Sequence, residues 1–143
     1  MDKGNKILKV TEGLATILMK FKQNEFKGTK GGDLSLKFFE YINVIDKLKN
    51  PTYTELAEAL NLSKPAVTAI VNKLISQDIV YKSRSVEDRR VYFIHLTEEG
   101  KKIAGAYQQG YLNFVDHVMN SLSEDEVDNF IELSEKIILG GSR

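Results

Sequence analysis

Apolar residues return every three or four positions through the first part of the chain. Ile7, Val10, Leu14, Ile17, Leu18 and Phe21 mark one face of an amphipathic helix predicted over about residues 5–27, and Gly28, Gly31 and Gly32 end it. Asp33 is placed to cap a second helix, whose broad apolar face of Leu34, Phe38, Phe39, Ile42, Ile45 and Leu48 runs until Asn50-Pro51 breaks it. Thr52-Tyr53-Thr54-Glu55 spells a capping box, in which hydroxyl and carboxylate each satisfy an orphan N–H, and opens a short third helix ending near Leu60. After a turn at Asn61-Leu62, Ser63 caps a fourth helix with Pro65 in its first turn and Val67, Ile70, Val71 and Leu74 as its buried stripe.

The pattern then changes. Ile79–Arg84 and Val91–Leu96 are rich in β-branched and aromatic residues, and the polar stretch Ser85–Arg89 between them predicts a hairpin whose loop is long enough to project. Thr97 caps a fifth helix that carries Ile103, Tyr107, Tyr111, Phe114, Val115 and Val118. Ser123-Glu124-Asp125-Glu126 is a second capping box, and Val127, Phe130, Ile131, Ile137 and Ile138 line a last helix predicted to stop at Gly140-Gly141. The fold class is mainly α with a small β-hairpin.

Within this order, residues 54–76 have the spacing of a helix-turn-helix. Ala57 is small where two helices cross closely, Asn61 suits the left-handed backbone of a tight turn, and Val67 and Ile70 lock the second helix onto the first. The hairpin that follows makes the unit a winged helix-turn-helix over about residues 51–99. The helices on either side, about 5–30 and 100–139, carry more apolar face than such a unit covers, which predicts that they pair with a second copy of the chain.

Composition narrows the setting. With 143 residues, 42% of them hydrophobic and 28% charged, the chain is long enough for one domain with a proper core. It has no cysteine, which excludes disulfides, thiolate metal sites and thiol redox sensing. No stretch has the length of a signal peptide's apolar block or of a membrane span, so a soluble, cytoplasmic protein with no membrane partner is expected.

The zero formal net charge hides a segregation. Residues 61–90 hold Lys64, Lys73, Lys82, Arg84, Arg89 and Arg90 against Asp78, Glu87 and Asp88, whereas residues 123–135 hold six carboxylates and no cation. One region is suited to meet phosphates and the other to repel them.

The major groove of B-DNA admits one helix, and the outward side of the fourth helix offers Lys64, Thr68, Asn72 and Lys73 as donors, with Pro65 and Ala69 as small apolar groups. An arginine on the hairpin loop can reach the adjacent minor groove, and Asp88, two residues from Arg90, is spaced to hold it. Taken alone, the helix residues also read as ordinary solvated surface, the better reading for Lys73, and the Asp88/Arg90 pair reads equally well as a surface ion pair of about 0–1 kcal/mol.

Asp88-Arg89-Arg90 followed five residues later by Leu96-Thr97-Glu98-Glu99-Gly100 resembles the wing signature of the MarR family of transcription regulators. Glu55-Leu56-Ala57, Leu62-Ser63-Lys64-Pro65-Ala66-Val67-Thr68 and Asn72-Lys73-Leu74 resemble its helix-turn-helix. The resemblance is specific over residues 51–100, and elsewhere rests on helix order and length. It implies a single domain spanning residues 1–143 and a homodimer that binds palindromic double-stranded DNA, usually as a repressor and often released by a small ligand. Arg90 would be the minor-groove arginine and Asp88 its orienting partner. Ser63, Lys64, Pro65, Thr68, Ala69 and Asn72 would line the recognition surface, with Lys73, Arg84 and Arg89 as further cations facing the duplex. Relatives carry a long polar residue where this chain has Ala69, so a base contact there is left open.

Phe38, Phe39, Tyr41, Tyr107, Tyr111 and Phe114 read either as core or as the lining of a pocket for an aromatic effector. His95 and His117 lack a second ligand at metal spacing, and no catalytic constellation or cofactor motif is present, so neither an enzyme nor a cofactor is expected. The alternative reading is a winged-helix module that binds protein and not DNA, for which zero net charge would be natural.

Overall fold

The computed structural model describes residues 2–29, 31 and 34–141. Among these the chain runs α1 (Lys3–Phe26), α2 (Leu36–Leu48), α3 (Tyr53–Leu60), α4 (Lys64–Ser76), β1 (Val80–Arg84), β2 (Tyr92–Leu96), α5 (Glu98–Ser121) and α6 (Glu124–Gly141). The two strands pair antiparallel with Val80 opposite Leu96 and Arg84 opposite Tyr92. The architecture is the expected one, mainly helical with a single hairpin.

Two helix ends differ from expectation. Ser35 occupies the N-cap position of α2 with an extended backbone and no side-chain capping bond, while Gly32 and Asp33 lie outside the described residues. At the other end of the chain, α6 does not stop before Gly140-Gly141 but runs through both. Glycine ends a helix when it takes a left-handed conformation, as Gly28 does after α1 with φ 82°; neither glycine of α6 does so, and the cost of about 1 kcal/mol relative to alanine does not stop a helix alone.

The described chain divides into two compact units, one of residues 2–21 with 110–141 and one of residues 22–109. The second holds all the buried apolar side chains: Ile42 and Ile45 of α2, Leu56 of α3, Val67, Val71 and Leu74 of α4, and Ile79, Val80, Ile94 and Ile103 are essentially inaccessible. Each such burial stabilises by about 1.5–3 kcal/mol, and together they fix how α2, α3, α4 and the hairpin pack. The α3–α4 corner forms as the sequence directs. Thr52 and Glu55 make both halves of the capping box, at 3.1 and 3.0 Å, and Asn61 turns the chain with φ 53°. The Ser63 hydroxyl accepts the Ala66 N–H at 3.3 Å to start α4.

The hairpin is anchored at its root. The Thr97 hydroxyl donates to the carbonyl oxygens of Asp78 and Ile79 and accepts the Gly100 N–H at 3.0 Å, so the start of α5 is tied to the start of β1. Gly100 is obligatory there, because a Cβ would lie 2.2 Å from the Ile79 carbonyl oxygen. On the other side, the Ile94 N–H donates to Pro51 O at 2.8 Å, and Thr52 bridges to Phe93.

The unit of residues 2–21 and 110–141 has helices of the same quality but buries no hydrophobic side chain. Ser123 and Glu126 form their capping box, with the Ser123 N–H to Glu126 Oε1 at 2.9 Å, and the Phe21 and His117 rings lie 5.6 Å apart. Ile7, Val10, Ile137 and Leu139 remain 60–75% exposed. None of the helices in the described chain is long and apolar enough to cross a membrane.

Candidate nucleic-acid interface

Residue alternation along the hairpin decides what its two faces do. Antiparallel pairing puts Val80, Lys82 and Arg84 on one face with Leu96, Ile94 and Tyr92. Near the root this face is buried through Val80 and Ile94; towards the tip it turns polar. There Lys82 and Tyr92 form one wall of an open groove of about 620 Å³, with Asp88, Arg90 and Val91 of the loop beside them. The opposite wall is the outward side of α4, with Lys64, Thr68 and Asn72, and Thr52, Tyr53 and Thr54 at the start of α3 complete it. The groove lining carries three cations and one carboxylate.

That carboxylate is already engaged. Arg90 donates from Nε to Asp88 Oδ1 and from Nη2 to Oδ2, both at 3.1 Å, and its backbone N–H reaches Oδ1 at 3.0 Å. These side-chain and backbone hydrogen bonds from Arg90 hold the Asp88 carboxyl below the usual carboxylate range. The loop is shaped to allow this: Ser85 and Val91 close it at 2.8 Å, and the Asp88 N–H donates to Ser85 Oγ at 3.2 Å. The Arg90 side chain is nevertheless 90% exposed, a fixed guanidinium presented outward.

The sequence-derived candidates separate into groups. Lys64, Thr68, Asn72, Asp88 and Arg90 converge on the groove. Ser63, Pro65, Ala69 and Arg89 are exposed beside it without lining it, and the Ser63 hydroxyl is used as the helix cap. Lys73 and Arg84 turn to aromatic neighbours instead. Lys73 Nζ sits 4.7 Å from the centre of the Phe38 ring, and the Arg84 guanidinium donates from Nε and Nη2 to the Tyr92 hydroxyl. Sequence reasoning overlooked Tyr53 and Tyr92 as groove residues and took Lys82 only as part of a basic segment. The signal for Lys82 and Tyr92 was the two-residue alternation outward from Val80 and Ile94.

The other candidates are accounted for locally. His95 lies between Ser83 Oγ (2.6 Å from Nε2) and Asn50 Oδ1 (2.9 Å from Nδ1), and among the described residues no three His, Asp or Glu side chains converge as a metal site. Phe39 stacks on Phe26 within the core at 4.1 Å, and Phe38 meets Tyr41 edge-on. Tyr107 belongs to the same unit as these rings, whereas Tyr111 and Phe114 belong to the other.

Comparison with known proteins gives the family and the fold. The model of the MarR family matches residues 34–92. The transcriptional regulator AdcR of Streptococcus pyogenes is 33% identical over 98 residues, covering 64% of this chain and 67% of its own. This chain belongs to the MarR family. It is a transcriptional regulator of that family, and its curated relatives carry regulator names, not enzyme names. The MarR-family chain is also 28% identical to the HTH-type regulator YpoP of Bacillus subtilis over 127 residues, covering 87% of this chain and 90% of that one. Its fold is that of Streptococcus pneumoniae FabT, solved in complex with DNA, with a TM-score of 0.81 at 23% identity over 99% of this chain and 98% of the other.

Proposed function

We propose that this MarR-family regulator binds a palindromic operator in double-stranded DNA as a homodimer, with α4 in the major groove and the hairpin loop in the adjacent minor groove. The observation that carries the reading is the groove between α4 and the hairpin, whose lining presents Lys64, Lys82 and Arg90 against a single carboxylate already neutralised by Arg90. A helix flanked by a projecting cation matches two neighbouring grooves of a duplex, and phosphates supply the negative charge between them. FabT and a MepR variant of S. aureus, which share the fold, were both solved with DNA.

Pairing is supported by the unit of residues 2–21 and 110–141, whose apolar faces stay uncovered within one chain. A repressing effect, relieved by a small ligand, completes the proposal; it rests on the family resemblance and on a relative named as a repressor, YetL of Bacillus subtilis, 31% identical over 80 residues. Selecting duplexes from a random pool with the purified protein tests the central claim. The expected outcome is an inverted repeat with half-sites about one helical turn apart and binding that weakens steeply with salt. Absence of binding even at low salt would sink it.

A further inference from the structure

The groove contains a cluster that neither the recognition helix nor the minor-groove arginine accounts for. Arg84 donates to the Tyr92 hydroxyl from two guanidinium nitrogens, one of them Nε at 2.9 Å, and so engages that oxygen as an acceptor. The phenol therefore keeps its proton for a further partner. Lys82 Nζ lies 4.9 Å from the centre of the Tyr92 ring and makes no ion pair among the described residues, while the Arg84 guanidinium carbon lies 5.1 Å from the same ring. Tyr53 also lines the groove, and burial followed by the nearby Tyr92 raises its pKa above the ordinary phenol value, which keeps its hydroxyl a donor.

A hydroxyl whose oxygen is already engaged, an ammonium without an ion-pair partner and a second phenol make a set that favours an anion. We propose that Lys82 and Tyr92, with Arg84 positioning the phenol, form a seat for one phosphodiester of the DNA backbone, the one that crosses from the face of α4 to the hairpin loop. The location requires such a ligand. A helix in the major groove and a loop in the adjacent minor groove have one sugar-phosphate strand between them, and the groove lined by Lys64, Thr68, Lys82 and Tyr92 is the space through which it passes. The inference rests on the DNA-binding reading and assigns it residues that read no base.

The experiment measures affinity by fluorescence anisotropy, over a range of salt, for the selected duplex and for a scrambled duplex of the same length. Lys82→Gln should weaken both duplexes by the same factor and lower the slope of log affinity against log salt by about 0.9, the value for one lost phosphate contact. Tyr92→Phe keeps the ring under both cations and removes only the donor; it should weaken both duplexes about threefold without changing the ratio between them. Arg84→Met should reproduce the Tyr92→Phe loss, and combining the two should add nothing further, which a merely structural role would not give. Unchanged affinity and slope in Lys82→Gln and Tyr92→Phe, with wild-type binding intact and melting temperatures equal, would overturn the seat alone. Failure of the wild-type chain to bind any duplex would overturn the DNA reading together with it.

Discussion

The two units of this chain are built from similar helices and differ in what those helices bury. Residues 22–109 enclose a continuous core with several side chains wholly inaccessible, whereas residues 2–21 and 110–141 enclose none, and leave isoleucines and leucines more than half exposed. Helical periodicity is equally clear in both, so amphipathicity alone does not tell whether a face is satisfied within the chain. The difference marks one unit as carrying its own core and the other as carrying apolar faces left uncovered within the chain, which is what the proposed pairing would use.

That contrast can be broken most severely at the exposed faces. If they pair in a dimer, Ile137→Asp places an unpaired charge in the contact twice by symmetry, about 2 kcal/mol each time, for a roughly thousandfold rise in the dimer dissociation constant. Sedimentation would show monomers that keep their far-ultraviolet circular dichroism; an unchanged dimer would remove Ile137 from the contact. Leu74→Ala acts on the other side of the comparison. It opens a cavity at a site with no accessibility and should cost about 3 kcal/mol in denaturant unfolding.

Smaller effects separate the groove from the core beneath it. Arg90→Ala should weaken DNA binding about tenfold, or about 1–2 kcal/mol, with no change in melting temperature because the side chain is 90% exposed. A comparable loss of stability would show that the arginine is structural. The smallest effect is on the Asp88 clamp. Its carboxyl is held below the usual carboxylate range, so the contribution of the clamp is complete above the ordinary carboxylate pKa and is lost as pH falls through the lower folded value. Carboxyl chemical shifts should show Asp88 titrating below the ordinary aspartate range, and in Arg90→Ala this displacement should shrink to the part that the backbone N–H of residue 90 sustains.

Much of this was legible locally. The capping boxes at Thr52 and Ser123, the Ser63 cap, the left-handed Asn61 and the Asp88/Arg90 pair each depend on residues a few positions apart, and they form as the sequence predicts. What was not legible depends on partners distant in the chain. Lys73 and Arg84 read as free cations, yet long flexible side chains settle over aromatic rings, and Phe38 lies 35 positions from Lys73. The groove face of Tyr92 follows from cross-strand register, which the loop fixes. Gly140 and Gly141 misled because glycine only permits a helix to end.

The close approach of Gly100 to Ile79 has a mechanical consequence. The hairpin is a lever whose arm, five residues of strand at about 3.3 Å each, is roughly 17 Å long, and Gly100 sits at its fulcrum. A single methyl group there acts as a wedge, and tilting the base by a fraction of an ångström swings the far end by considerably more. Gly100→Ala would then disarm the loop at a distance, visible as lost minor-groove protection in a footprint whose major-groove half persists.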